Sequence, residues 1–287
     1  MIQASELILN ADGSVFHLHL QPSQLADNII LVGDRQRVSL IASLFDTKEC
    51  EVENREFRTI TGTYAGKRIS VISTGIGAGN IDIVLNELDA LANIDFRTRE
   101  PKATTTSLKI IRIGTSGGLQ PECELGSFVV SEKSIGFDGL PSFYAGWEKH
   151  CDIDFSAEFI KQTDFSPMHA FPYTIAADAA LVDEIAQNDM IRGVTVSANG
   201  FYAPQGRELR LKLYEPNLNE KIENFSYKNK KITNFEMESS AVAALSALLG
   251  HRAMTVCLII NNRLAKAVNV DYGKSMEKLI TTVLERI

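Results

Sequence analysis

The run Ile110-Ile111-Arg112-Ile113-Gly114-Thr115-Ser116-Gly117-Gly118 constrains this chain more than any other. Residues 110–113 are β-branched and apolar apart from Arg112 and stop at glycine, the pattern of a short strand covered on both faces. Arg112 breaks that pattern, because a charge in such a strand is costly unless an opposite charge meets it. The glycines that follow let a loop turn sharply and bring backbone N–H groups close to a ligand. Thr115 and Ser116 add hydroxyls between them. An arginine, two hydroxyls and free amides at the carboxyl end of a strand suit an anion, and open α/β sheets bind ligands at that edge. The alternative is an arginine whose charge reaches a structural carboxylate, and these residues by themselves leave both readings open.

The chain has 287 residues, of which 45% are hydrophobic, enough for one large α/β unit. A net charge of −7 and a pI near 5.4 argue against a general nucleic-acid binder. Any anion site must therefore be a local concentration of arginine. Cys50, Cys123, Cys151 and Cys257 lie far apart, with no CxxC pair and no metal-ligand spacing. They read as reduced cysteines of a cytoplasmic protein. The N-terminus lacks a basic segment followed by an apolar run, and no stretch approaches the ~20 apolar residues of a membrane span.

Taken in order, residues 14–20 alternate in an extended pattern that places His17 and His19 on one face. No third metal ligand lies nearby, so a structural or solvated role is the default. Residues 28–33 read as a core strand ending at Gly33. Asp34, Arg35, Gln36 and Arg37 then open a helix marked by Val38, Leu40, Ile41 and Leu44. Helix starts favour anions, so Arg35 or Arg37 could hold phosphate there. Residues 51–74 read as a hairpin around Ala65-Gly66, with Arg55 placed before it. Ser73–Asn80 is a second glycine-rich junction, which fits neither the Walker loop nor the dinucleotide fingerprint. Residues 80–92 read as a helix and 93–108 as a surface loop inserted before the central strand.

A strand is predicted over 126–132, an aromatic loop over 136–150, a helix over 178–188 and a strand over 193–198. Residues 199–207 are irregular and carry Phe201, Gln205 and Arg207. Gln205 donates and accepts and Arg207 donates, a set suited to an imide-like edge. Residues 232–238 end a strand with Glu236 and Glu238 on one side and Met237 opposite. A carboxylate there can accept from two adjacent sugar hydroxyls, although Glu238 could equally be an acid favoured by the following helix dipole. That helix spans 239–249 and is stopped by Gly250. A strand over 253–260, the sequence Asn261-Asn262-Arg263 and a helix over 272–286 complete the chain. Strands and helices alternate without repeat or composition break, which predicts one α/β domain over residues 1–287.

Six motifs in order carry a resemblance: Val-Phe-His-Leu at 15–18, Gly-Asp-x-x-Arg at 33–37, Arg-Glu-Phe at 55–57, Ser-Thr-Gly-Ile-Gly at 73–77, Arg-Ile-Gly-Thr-Ser-Gly at 112–117 and Phe-Glu-Met-Glu-Ser at 235–239. The chain resembles the purine/uridine nucleoside phosphorylase superfamily, and within it the uridine phosphorylase branch. The resemblance implies a central mixed, twisted β-sheet flanked by helices. It implies a pentosyltransferase that splits uridine, with deoxyuridine and thymidine as further candidate substrates, phosphate as co-substrate and no metal or organic cofactor. Gly33, Arg37, Arg112 and Thr115 match the family's phosphate site. Arg55 matches an arginine that reaches the phosphate of a neighbouring subunit, and His17 the histidine lent to the neighbour's ribose 5′-hydroxyl. Met237 and Glu238 match the ribose site, with Glu236 at a nearby motif position. Gln205 and Arg207 match the pair that reads the uracil edge, beside Phe201. The resemblance therefore implies a homodimer as the smallest working unit, with a hexamer of dimers also known in the family, and neither nucleic acid nor membrane as partner.

The purine branch carries an aspartate after the last strand, where this chain has Asn261-Asn262-Arg263, which favours a pyrimidine. Arg35 stands where the family often has proline, adding a second cation near the phosphate. The expected rivals are a purine phosphorylase, a nucleosidase that uses water and a non-catalytic nucleoside-binding protein.

Overall fold

The computed structural model describes residues 1–263 and 267–287. The expected first strand is β1 (Asn28–Val32), followed by α1 (Arg35–Ala42), whose start Asp34 caps by accepting from the Arg37 amide. β2 (Thr47–Asn54), β3 (Phe57–Tyr64) and β4 (Lys67–Ser73) form a meander, and Ala65-Gly66 makes the predicted turn. α2 (Ala78–Asn93) starts at Gly77, whose φ of 95° a side chain would resist. The 93–108 segment is more than a loop. Ile94–Asp95 (β5) pairs with Glu100–Pro101 (β6) in a small hairpin, because Asp95 accepts from the amides of Arg97 and Thr98 and closes the turn.

β7 (Lys109–Gly118) is the central strand, and it corrects the expected glycine loop. The chain does not turn after Ile113 but stays extended to Gly118. The glycines serve close approach instead. A side chain at Gly114 would strike the Arg112 guanidinium, one at Gly117 the Asn261 amide, and one at Gly118 would lie 2.7 Å from the Cys123 carbonyl oxygen. Gly118→Ala is expected to destabilise the fold by about 1–3 kcal/mol, read as a lower thermal midpoint with a normal circular dichroism spectrum at low temperature.

The chain continues through β8 (Phe128–Gly136), α3 (Ile153–Thr163), β9 (Tyr173–Ala176), α4 (Ala179–Ala186) and β10 (Ile191–Ser197). It ends with α5 (Leu218–Asn224), β11 (Ser226–Tyr227), β12 (Lys230–Glu236), α6 (Ser239–Leu249), β13 (Arg252–Asn262), β14 (Ala267–Val268) and α7 (Gly273–Arg286). The helices expected at 178–188, 239–249 and 272–286 are α4, α6 and α7. α3 was not anticipated by the periodicity.

The sheet is mixed, as predicted, in the order β11-β12-β10-β8-β13-β7-β1-β4-β3-β2. β1, β4, β7 and β13 run parallel, and β8 runs against β13. β12 also pairs with β7 at Phe235–Gly117 and Asn234–Gly118, which closes β7, β13, β8, β10 and β12 into a ring. One face of β1 gives Ile30 and Val32 to a core with α1, α4 and α7. The other gives Ile29 and Leu31 to a core with α2, α6 and Val15–Leu25. Arg112 alternates with Ile111 and Ile113, so it falls on the face of α2 and α6.

Candidate active site

β1 pairs with β7 only as far as Ile113, and β12 joins it only from Gly117. Gly114, Thr115 and Ser116 therefore have no strand partner on that side among the described residues. A cleft of about 280 Å³ opens there, at the carboxyl ends of β1 and β7 where the sequence placed it. Its lining brings together residues that are distant in the chain: Gly33 and Arg37, Arg112 and Thr115, Phe201, Gln205 and Arg207, and Met237 and Glu238. His17 and Arg55 lie outside the lining.

Arg112 is the hub, and both sequence readings of it meet in the structure. It lines the cleft and is also held by carboxylates. Its side chain is 5% exposed, with Nη1 3.1 Å from Glu236 Oε2 and Nη2 donating to Glu238 Oε2. Its buried Nε has no hydrogen-bond partner among the described residues. Burial is the largest influence on its pKa and pulls it down, but Glu238 and Glu236 together outweigh this and the net shift is upward. Cys257 lies 3.9 Å from Nη1, and burial pushes its thiol up to about 12, so it stays neutral.

The two glutamates divide the work. Glu236 ends β12 and accepts from the Ser239 amide at 2.9 Å, the Ser239 hydroxyl at 2.8 Å, the Ser197 hydroxyl at 2.5 Å and the Glu238 amide at 2.8 Å. It is the acid at the start of α6, the part that the sequence offered to Glu238. Glu238 leaves the strand with φ −141° and ψ −20° and makes no side-chain cap bond. One oxygen accepts from the Gly77 amide at 2.7 Å and the other from Arg112. Burial raises the Glu238 pKa above the usual carboxylate range, Arg112 opposes the rise, and Glu236 adds to it. Glu238 is therefore a carboxyl whose ionised form carries a desolvation cost, a perturbation that clusters at functional sites.

At one end of the cleft Arg37 donates to the Ile113 carbonyl at 3.2 Å and pairs with Asp34 at 2.9 Å. Arg35 was expected to add a cation there. Instead it pairs with Glu53 on β2 and lies outside the lining. At the other end Arg207 stacks over the Phe201 ring at 3.8 Å and donates to the Phe201 carbonyl at 2.6 Å and to Gln205 Oε1 at 2.7 Å. Gln205 is buried, Phe201 is exposed, and Asn219 donates to the Gln205 carbonyl at 3.0 Å. The sequence drew attention to residues 261–263 only for lacking an acid. In the structure Arg263 also donates to the Gln205 carbonyl and stacks 4.9 Å over Phe235, and Asn261 lines the cleft. Burial, then repulsion from Arg207, lowers the Arg263 pKa to about 10, and burial lowers that of Arg207. Both arginines remain cations near neutrality, so this end favours an electron-rich ligand.

His17 and Arg55 sit together elsewhere. Residues 14–20 form tight turns rather than the expected strand. His19 has a positive φ of 58° and pairs with Asp12, not with His17. The His17 ring packs edge-on to Phe16 at 4.9 Å, and the Arg55 guanidinium lies over the same Phe16 ring at 5.4 Å from its centroid. Among the described residues no group of three or more His, Cys, Asp or Glu side chains is placed to hold a metal ion. No helix among them is long and apolar enough to cross a membrane.

Comparison with known proteins agrees with this geometry. The family model described as "Phosphorylase superfamily" matches residues 27–285. The uridine phosphorylase of Thermococcus kodakarensis is 30% identical over 276 residues, covering 93% of this chain and 83% of that protein. That of Escherichia coli is 30% identical over 271 residues, covering 92% of each. The crystal structure of Trypanosoma brucei nucleoside phosphorylase, described as showing uridine phosphorylase activity, superposes with a TM-score of 0.84 at 29% identity, covering 98% of this chain and 99% of that one. With a family model spanning nearly the whole chain and the six motifs gathered around one cleft and one surface patch, the chain belongs to the phosphorylase superfamily.

Proposed function

We propose that this protein catalyses the phosphorolysis of uridine to uracil and ribose 1-phosphate, a pentosyl transfer in nucleoside salvage. One observation carries the reading. A single cleft is lined by the guanidinium groups of Arg37 and Arg112, the desolvated carboxylate of Glu238, and the amide–guanidinium pair of Gln205 and Arg207. Those three sets suit phosphate, ribose and base. It also accords with the relatives named above.

Phosphate lies against Gly33, Arg37, Arg112 and Thr115, joined by Arg55 from a second copy. Glu238 accepts the ribose 2′- and 3′-hydroxyls over Met237, and His17 of the second copy meets the 5′-hydroxyl. Phosphate then attacks the anomeric carbon from the face opposite the base. The bond to nitrogen breaks ahead of the new bond to oxygen, so the sugar gathers positive charge that phosphate and Glu238 stabilise. The leaving uracil gathers negative charge on its carbonyl oxygens, where Arg207 and Gln205 donate beside Phe201. Phosphate is the co-substrate and the scheme calls for no cofactor. A homodimer is the smallest working unit, and the reducing cytoplasm suits four free cysteines.

The direct test is ribose 1-phosphate formation from uridine, deoxyuridine, thymidine and inosine, with and without phosphate. Strict phosphate dependence with uridine preferred is the expected result. Uracil release without phosphate would make the protein a nucleosidase, preference for inosine a purine enzyme, and saturable uridine binding without turnover a binding protein. Within the site, Arg207→Ala is expected to lower kcat for uridine about 10²–10³-fold. The KM for phosphate should stay within about twofold, because the guanidinium lies at the other end of the cleft. Steady-state kinetics with each substrate varied in turn would check both statements.

A further inference from the structure

The segment that carries His17 is held by two clamps, and both belong to α2 or to the hairpin that follows it. Before the first 3₁₀ turn at Pro22, residues 1–21 form no helix or strand among the described elements. A chain without its own ladder is costly to keep in one conformation. Here Glu87, on α2, takes four hydrogen bonds from the His17–Leu18 turn. Its Oε1 accepts from the His17 amide at 2.9 Å and meets the ring Nδ1 at 2.7 Å, while Oε2 accepts from the His17 amide at 3.1 Å and the Leu18 amide at 2.7 Å. A carboxylate only accepts, so Nδ1 carries the proton and Nε2 is left for an outside hydroxyl.

The second clamp is the β5–β6 hairpin. Arg99, at its turn with a positive φ of 57°, donates from Nε to the Ile2 carbonyl at 2.9 Å and from Nη2 to the Gln3 carbonyl at 3.0 Å and to the Leu7 carbonyl. The Ile2 amide donates back to the Arg99 carbonyl at 2.7 Å. From there the chain is tied forward, because Leu9 bridges Val15 and the Asn10 side chain donates to the Val15 carbonyl at 2.8 Å. The chain leaving the hairpin is fixed to the end of α2 at Asn93, whose carbonyl accepts from the Lys102 amide at 2.8 Å and whose side chain accepts from the Thr106 amide at 2.6 Å.

We propose that Glu87 and the Arg99 hairpin are positioning elements for the sugar 5′-hydroxyl, holding the N-terminal segment so that His17 is presented to the cleft of a second copy. The inserted segment 93–108 thereby acquires a function, as a strut for a shared active site. This rests on the reading of His17 given above. A group that holds a substrate contact in register acts on binding without touching substrate, so the clamps act through His17.

The test compares uridine with 5′-deoxyuridine, which lacks the hydroxyl concerned, in His17→Ala, Glu87→Gln and Arg99→Ala. Each variant is expected to raise KM for uridine up to about tenfold, the size of one neutral hydrogen bond, and Glu87→Gln and Arg99→Ala are expected to leave kcat/KM for 5′-deoxyuridine within about twofold of the unmodified protein. Retained turnover of the deoxy substrate also reports an intact fold, and Glu87→Gln, nearly isosteric, guards against loss of structure in Arg99→Ala. A split for His17→Ala alone overturns the proposal and leaves the reading of His17 standing. No split for His17→Ala removes that reading and the proposal with it. Equal losses on both substrates in the Glu87 and Arg99 variants reduce the clamps to fold stability and overturn the proposal.

Discussion

Arg112→Ala is expected to abolish useful turnover, lowering kcat/KM for phosphate by at least about 10³-fold, and to unfold at markedly lower temperature. The two losses share one cause. Arg112 is the buried cation between Glu236 and Glu238, and removing one partner of a buried ion pair typically costs about 3–5 kcal/mol because the other charge stays behind. Here two charges stay behind. Glu238, already raised by burial, loses the cation that opposes the rise and moves further up. The acid limb of the pH profile should therefore shift to higher pH in whatever residual activity remains. Glu236→Gln added to Arg112→Ala should recover part of the thermal midpoint without recovering phosphate binding. A double-mutant cycle on stability, run beside phosphate-dependent kinetics, separates the structural share of Arg112 from its share in catalysis. An Arg112→Ala protein with unchanged phosphate KM would end the assignment.

Much of this arrangement is legible in the chain, for physical reasons. Local elements follow from periodicity and from residues with one plausible conformation. Asp34 caps α1, Ala65-Gly66 turns the hairpin and Gly250 ends α6 with a φ of 79°. What periodicity cannot carry is pairing across the sheet. Nothing in residues 114–118 says that β12 will close on Gly117 and Gly118, so a turn and an extended strand look alike there. The same gap in information separates Glu236 from Glu238. They stand two residues apart in one motif, and only the point at which β12 stops decides that one braces α6 while the other faces the cleft. Arg35 and Arg263 are the complementary cases. By position Arg35 belongs to a phosphate site, yet Glu53 on a neighbouring strand takes its charge. Arg263 has no motif to announce it, yet it supports the Gln205 backbone from a strand end far along the chain.

Glu238→Gln should separate activity from stability in the opposite sense to Arg112→Ala. A carboxylate that accepts two hydroxyls makes two charge-assisted hydrogen bonds, worth about 1.5–3 kcal/mol each, so kcat/KM for uridine should fall about 10²–10⁴-fold. An amide can accept one hydroxyl but cannot match both, so 2′-deoxyuridine should suffer the smaller loss. Stability moves the other way. Burial raises the Glu238 pKa in the folded state, so its contribution is full below the unfolded value and is lost as pH rises through the folded one. Above the folded value the ionised group therefore weighs against folding, and a neutral amide of the same shape should hold or raise the thermal midpoint there while Arg112 keeps its pair with Glu236. The activity of the unmodified protein needs the ionised form, so its acid limb should lie above the ordinary carboxylate range and flatten in the variant. Thermal melts across pH, set beside kcat/KM profiles for uridine and 2′-deoxyuridine, test all of this together. A variant that lost stability at neutral pH as well as activity would show that Glu238 braces the fold and would return it to the role that Glu236 now holds.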